Sequence, residues 1–435
     1  MASVVVIGAG LGGIAAAVRL AKLGHEVTIC ERGERIGGAI GTVEADGFRW
    51  DAGPASTTLP AALRDLFRKS GRPLEKVADL VPVESPRRHV FADGTEFDLP
   101  VLGRAEQLYA WRSLAGERIG RQWTELIDSY ADVWEVLRRN TLEKAPPDKL
   151  PRDARKVLHP RQSLDKLARR RLDDEHARAA LTYHATVSRS DPARTPGYVG
   201  VAAYVERTFG YWTFAGGFAV LLDALDKRLD ERQVEVRLGC EVVGVDTEQG
   251  TVRGVRLADG KLLDADVVVS AIDPRVVYED MVDDPVARPI RKNLRRTHDA
   301  QSTYVLHLGL RDTVPDLPFE TVLHGDPVVV IRAAGTAPPG HRAWTVMVHG
   351  YPTEDALDLL VTRGLDIRDQ VVSRYTLPSW QTGVAWEGDR TARLRAGNVS
   401  PVKGLFCVGA GAHPGGGVPS TTLGAAIVAS AVGKA

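Results

Sequence analysis

Apolar positions along the chain change period several times, and each change predicts an element. Val4-Val5-Val6-Ile7 is an unbroken β-branched run, the pattern of a strand buried on both faces of a parallel sheet. Glycines at 8, 10, 12 and 13 interrupt it, and a helical spacing follows through Ile14, Val18, Leu20 and Leu23 up to Gly24. Val27 to Cys30 predicts a second strand, with Glu31 at its carboxyl end. Leu59 to Phe67 returns to helical spacing. From about residue 73 to 100 the signals are β, with Asp93-Gly94 turning a hairpin between residues 88–91 and 96–99. Residues 104–142 read as helical: Trp123, Leu126, Ile127, Tyr130, Val133, Trp134 and Leu137 repeat at three and four, a stripe that belongs in a core. Ala145-Pro146-Pro147 ends it.

The second half alternates more quickly. A helix is expected over 219–229, strands over 234–238 and 241–245, and a hairpin of 251–257 with 261–263 around Asp259-Gly260. Residues 266–271 form another buried parallel strand. Runs at 303–310, 327–331 and 344–349 predict a further sheet, with the helices between Tyr109 and Arg207 covering it. A strand leading to Gly409 and a helix over 423–432 close the chain.

The first fifty residues carry the most specific chemistry. Gly8-Ala9-Gly10-Leu11-Gly12-Gly13 supplies G-x-G-x-x-G between a strand and a helix. Gly8 permits the tight turn, Gly10 lets a pyrophosphate approach the backbone, and Gly13 lets helix and strand pack closely. The helix start offers free N–H groups and a positive dipole end to phosphates. Glu31, about twenty residues on, is placed to take both hydroxyls of an adenosine ribose. In that order these parts predict dinucleotide binding. Arg35-Ile36-Gly37-Gly38 then adds a second close approach of backbone, with a guanidinium placed for negative charge.

Composition narrows the remaining classes. A chain of 435 residues has room for two domains. Lysine plus arginine equals aspartate plus glutamate at 56 each, so no global field favours nucleic acid. Cys30, Cys240 and Cys407 lie far apart in sequence and form no metal spacing; no metal is expected, and the pattern fits a reducing compartment. The N-terminal apolar run is already the first strand, so no signal peptide is expected, and no apolar stretch is long enough to span a bilayer. A cytoplasmic protein follows, with peripheral contact at the inner face of the membrane as an option. That option rests on residues 152–178, which are rich in base and include Arg169-Arg170-Arg171. A solvated helix face is the default explanation, and a patch for anionic lipid or a substrate phosphate is the alternative.

The glycine motif, Glu31, the Arg35 to Gly38 doublet and the Asp51-Ala52-Gly53-Pro54 segment together resemble the FAD-binding signature of the flavoprotein amine oxidase and carotenoid desaturase superfamily. The chain departs from it in carrying Ala39 directly after the doublet, where the family often has arginine. Tyr211 to Phe218, an aromatic-Gly-Gly turn, and Gly404 to Ser420 resemble the bacterial phytoene desaturases in particular. The resemblance implies an α/β fold: a discontinuous Rossmann-like FAD-binding domain of the amine-oxidase type (1–75, 215–290 and 390–435) with a mixed β-sheet and helical substrate domain (76–214 and 291–389). It implies FAD contacts at Gly8, Gly10, Leu11, Gly12, Gly13, Glu31, Arg32, Arg35, Gly37, Gly38, Gly53, Pro54, Val242, Ala271, Gly409, Ala410, Gly417, Val418 and Pro419. The helix opening after Gly417 would face the flavin O2 region, and the backbone of Val242 would pair with adenine. Trp380 and Trp386 either border the flavin cavity or serve packing. His413, between the last glycines, is the candidate catalytic group; fixing its own loop by hydrogen bonds is the equal reading.

The implied activity is FAD-dependent hydride abstraction from a lipophilic, isoprenoid or carotenoid-like small molecule, with a proton leaving the adjacent carbon. Two alternatives stay open: an oxidase of another small substrate such as an amine or a ring precursor, and a non-enzymatic prenyl-binding escort. Oligomeric state is open as well.

Overall fold

The computed structural model describes every residue except 146, 148–149, 351–353 and 378–382. Five parallel strands form one sheet, in the order Leu405–Cys407, Val267–Ser270, Ser3–Ile7, Glu26–Cys30 and Glu235–Arg237. Strands from both ends of the chain and from its middle are therefore neighbours. The central strand shows why its sequence is apolar throughout. Val4 and Val6 pack toward the cluster built on the helix Leu11–Lys22, while Val5 and Ile7 pack on the other side with Val255, Val268 and Tyr278. The C-terminal helix Val418–Val432 lies against Leu11–Lys22, and the last residues are tied back by Ala435 N–H donating to the Leu23 carbonyl at 3.2 Å.

A second sheet has seven strands, ordered Val371–Leu377, Thr303–Arg311, His341–His349, Val329–Arg332, Glu320–Leu323, Arg87–Val90 and Glu96–Asp98. One face is apolar: Leu306, Leu308, Trp344, Val346, Val348 and Ile331 pack with Leu359 and Leu360 of the helix Ala356–Thr362. The opposite face carries a polar row in cross-strand register, His307, Thr345, Arg332, Glu320 and Arg87. Helices of the 104–209 region lie over this face, where Tyr183 meets Val322 and Val330. The Trp/Leu stripe is in a core as expected, with Trp123, Leu126, Ile127, Tyr130 and Val133 buried, although Trp134 and Leu137 are only half-buried.

Several elements differ from expectation. The helix expected over 104–142 is broken into Arg104–Ala115 and Glu117–Leu137, because Gly116 takes φ +89°, which a continuing helix cannot accommodate. Residues 42–51 form a hairpin, Thr42–Ala45 with Phe48–Asp51, turned at Asp46-Gly47. Strands at Glu320–Leu323 and Val371–Leu377 complete the large sheet without having been expected from their short or charged patterns. Trp380 falls outside the described residues.

Candidate functional site

A cavity of about 2090 Å³ runs between the glycine turn, the 35–54 segment and the 409–421 segment. That is well above the ~300–1,000 Å³ of sites for small molecules. Local geometry explains how the glycines frame it. Gly8 N–H donates to the Cys30 carbonyl (2.9 Å), and Gly37 N–H donates to the Ala9 carbonyl (2.8 Å), which brings the second glycine pair alongside the first. A Cβ on Gly13 would sit 2.0 Å from the Gly8 carbonyl oxygen, and one on Gly12 3.1 Å from Gly409 N, so both termini meet here with no room for side chains. A Cβ on Gly10 or Gly417 would meet nothing within 4 Å; these glycines face open space. Glu31 is held in place: its carboxylate accepts from Ala9 N–H at 2.7 Å and Gly33 N–H at 2.8 Å.

Of the residues expected to contact cofactor, Gly8, Gly10, Leu11, Gly12, Glu31, Arg32, Arg35, Gly38, Pro54, Val242, Ala271, Gly409, Ala410, Gly417 and Val418 line this one cavity. Gly13, Gly37, Gly53 and Pro419 stand behind its wall. Gly13 closes the helix onto the strand, Gly37 makes the backbone bond just described, and the Gly53 carbonyl accepts from Arg332 Nη1 at 2.9 Å. Pro419 sits in the first turn of the last helix, where a missing N–H costs nothing. Ala39 lines the cavity, as does Trp386.

His413 is not among the lining residues. Its ring is buried, its Nε2 meets the Thr141 carbonyl, its N–H donates to Ala396 (2.8 Å) and its carbonyl accepts from Asn398 Nδ2 (2.7 Å). Burial pushes its pKa down, partly offset by the Thr141 carbonyl. This is the geometry of a residue that fixes its loop.

Several contacts at the site have no obvious sequence signal. Arg395 lines the cavity beneath Gly415, stacks on Trp386 at 4.7 Å, and donates to the Val384 carbonyl at 3.0 Å. Among the described residues no carboxylate pairs with it, its Nε has no partner, and burial lowers its pKa to about 10. Asp51 accepts from Phe218 N–H at 2.9 Å, so the Asp-x-Gly segment and the aromatic-Gly-Gly turn, far apart in sequence, are joined by one bond. Burial raises the Asp51 pKa despite that bond. Cys30 and Cys240, distant in sequence, hydrogen-bond to each other in the cavity wall, and burial lifts the Cys30 thiol to about 12. Both are free thiols.

The fold and the cavity together define a dinucleotide-binding flavoprotein built from both ends of its chain. The sequence profile of flavin containing amine oxidoreductases matches residues 11–433, and the chain belongs to that family. Relatives along nearly the whole length include a zeta-carotene-forming phytoene desaturase of Myxococcus xanthus, 29% identical over 98% of this chain and 92% of its own. A hydroxyneurosporene desaturase of Cereibacter sphaeroides is 28% identical over 99% and 97%. Putrescine oxidase bound to putrescine superposes with a TM-score of 0.71 at 16% identity, over 99% of this chain and 98% of that one. An oxidoreductase from Methanosarcina mazei gives 0.67 at 20% identity, over 97% and 98%. The chain is thus an FAD-dependent oxidoreductase, and the escort reading falls. The cavity fits the cofactor: bare main chain where a diphosphate would lie, two glycines whose absent side chains leave space, and an oriented carboxylate at the second strand.

Proposed function

We propose that this oxidoreductase desaturates a lipophilic, carotenoid-like isoprenoid. The supporting observation is the near-full-length similarity to two carotenoid desaturases, joined to a cavity that continues past the glycine loops to Val187, Leu377, Val384 and Trp386. Bound FAD supplies a two-electron acceptor for hydride. The chain's own residues bind and orient. Gly10, Gly12 and Gly38 admit the diphosphate to the backbone, Glu31 takes the ribose, and Val242 and Ala271 border the adenosine end. Gly409 and the helix start at Val418 present N–H groups to negative charge at the other end. The three sequence pieces 1–75, 215–290 and 390–435 serve the cofactor, and the large sheet with the 104–209 helices serves the substrate. Apolar walls exclude water, and few polar groups are needed because the substrate offers only carbon and hydrogen. Among the described residues no helix is long and apolar enough to cross a membrane. A lipophilic substrate would be reached through peripheral contact at the inner face of the membrane.

The test supplies a colourless carotenoid precursor in lipid vesicles to the FAD-loaded protein under an added electron acceptor. Stepwise growth of long-wavelength absorption is expected as conjugation lengthens. Peroxide formation with soluble amines, and no change in the polyene, would reject the proposal.

Arg395 contributes to the cavity a positive charge that no carboxylate pairs with among the described residues, and that charge favours any added electrons there. Arg395→Met is expected to keep FAD but shift its two-electron potential negative by on the order of 30 mV, equivalent to about 1.4 kcal/mol. Dye-coupled potentiometry reads this directly, and an unchanged potential would show that the charge is not felt at the flavin.

A further inference from the structure

A second concavity lies far from the glycines in sequence, between the helices Arg152–Leu158 and Leu164–Arg171. Its volume is about 670 Å³, within the range of small-molecule sites. Its lining is almost wholly cationic: Arg152, Arg155, Lys156, Arg161, Lys166 and Arg170, with His159 and Gln162. Among the described residues no carboxylate lines it.

The spacing shows that this is an arrangement and not a random excess of base. Arg152, Arg155 and Lys156 fall at intervals of three and one on one face of the first helix, Lys166 and Arg170 at an interval of four on one face of the next, and His159 and Gln162 lie in the turn between them. The opposite sides of both helices are apolar and buried through Ala154, Leu158, Leu164 and Ala168. The turn between them is fixed by His159 at φ +44° and by Gly197 N–H donating to the Gln162 carbonyl at 2.7 Å. Like charges stacked at three and four residues repel, so the two faces carry an electrostatic cost. Acids are available nearby but point elsewhere: Asp165 pairs with Arg169, which is off the lining face. Across the rest of the chain exposed arginines commonly have carboxylate partners, as Arg64 has Glu75 and Arg88 has Asp98. The chain as a whole carries no net charge, so the cluster is local.

We infer that this concavity binds a phosphate-bearing polyanion. A single carboxylate would neutralise one of six cations, whereas a diphosphate or a phosphorylated headgroup presents several acceptor oxygens to guanidinium forks on both walls. The lining has no phenylalanine, tyrosine or tryptophan ring for base stacking, so single-stranded nucleic acid is a poor match. The phosphate comes from a soluble diphosphate or from a lipid headgroup, and the chemistry of recognition is the same.

The experiment measures binding by the full FAD-loaded chain, so it does not depend on turnover and fails or succeeds independently of the desaturase proposal. Inorganic pyrophosphate is titrated by calorimetry, and vesicles of phosphatidylcholine with and without phosphatidylglycerol are tested by flotation. Saturable pyrophosphate binding, weakened about tenfold or more in Arg155→Glu/Lys166→Glu and weakened by raising salt from about 0.05 to about 0.5 M, supports a soluble phosphate ligand. Flotation with phosphatidylglycerol vesicles alone, lost in the same variant, supports a lipid headgroup. The neutral variant Lys156→Gln/Arg170→Gln, checked for an unchanged flavin spectrum, is expected to weaken binding by a smaller factor. The reversal Arg253→Glu, on a distant strand, is the control and should leave binding intact. No binding of either probe by the native chain, or binding equal in the native chain and the pocket variants, overturns the inference.

Discussion

Gly10→Val is expected to yield a folded, colourless protein, whereas Gly13→Val is expected to yield little folded protein at all. The two positions are three residues apart in one motif, and their surroundings separate them. Gly10 has extended backbone, φ −74° and ψ 174°, which valine adopts without strain, and a Cβ there meets no protein atom within 4 Å. The side chain would project into the space left for diphosphate. Thermal unfolding of the Gly10→Val apoprotein should match that of native apoprotein, while added FAD should no longer raise its midpoint. For the native chain, FAD at about a thousand times its Kd should add about 4 kcal/mol of stability. At Gly13 a Cβ would lie 2.0 Å from the Gly8 carbonyl oxygen and 3.2 Å from the Ala271 side chain. Main chain cannot swing aside as a flexible side chain does, so the cost should exceed the ~1–3 kcal/mol of ordinary overpacking. Flavin retention by Gly10→Val would place the diphosphate elsewhere. Normal stability of Gly13→Val would mean that the strand–helix turn is not packed as described.

How much of this was legible in the sequence depended on whether the controlling interaction was local. The parallel strands around Val4 to Ile7 were legible because burial on both faces leaves no polar position to confuse the period, and the glycine motif because backbone conformation is set by neighbours. The hairpin at 42–51 carries a local signal that the sequence reading did not use: Asp46-Gly47 is the same turn chemistry as Asp93-Gly94. Gly116, likewise, sits in plain view inside a helical run. The strand Glu320–Leu323 was not legible, because it is short and its position inside the sheet is set by the strand at Arg87, more than 230 residues earlier in the chain. Arg395 likewise carries no signal that separates it from Arg390 and Arg393; the fold sets it against the Trp386 ring in the cavity. His413 was visible as a histidine among glycines, but which way its ring turns depended on the Thr141 carbonyl, 272 residues away.

The largest stability loss away from the cofactor site should come from Arg87→Met. Arg87 is 4% exposed and bonds Glu206 twice, at 2.9 and 3.1 Å, and Glu320 at 3.3 Å, with its guanidinium 4.5 Å from the Tyr183 ring. Glu320 also receives Arg332, which holds the Gly53 carbonyl in turn. This row is the brace between the large sheet, the helix Val201–Phe209 and the 51–54 segment at the cavity. Removing this cation leaves the Glu206 carboxylate buried without a compensating charge, while Glu320 keeps Arg332, a loss of about 3–5 kcal/mol. Adding Glu206→Leu to Arg87→Met should recover part of it, because the stranded charge is gone; urea denaturation of both variants measures the difference. A pH dependence follows from the same contact. Burial alone would raise the Glu206 pKa, but the Arg87 charge, aided by His184, outweighs it and holds Glu206 below its ordinary value. A carboxyl group depressed in the folded state contributes stability that is fully present above its unfolded pKa, about 4.3, and lost as pH falls through the lower folded value. Stability of the native chain should therefore decline below about pH 4.3 more steeply than that of Arg87→Met/Glu206→Leu, which lacks the titrating group. Parallel acid limbs in the two proteins would mean that Glu206 is not held by Arg87 in solution.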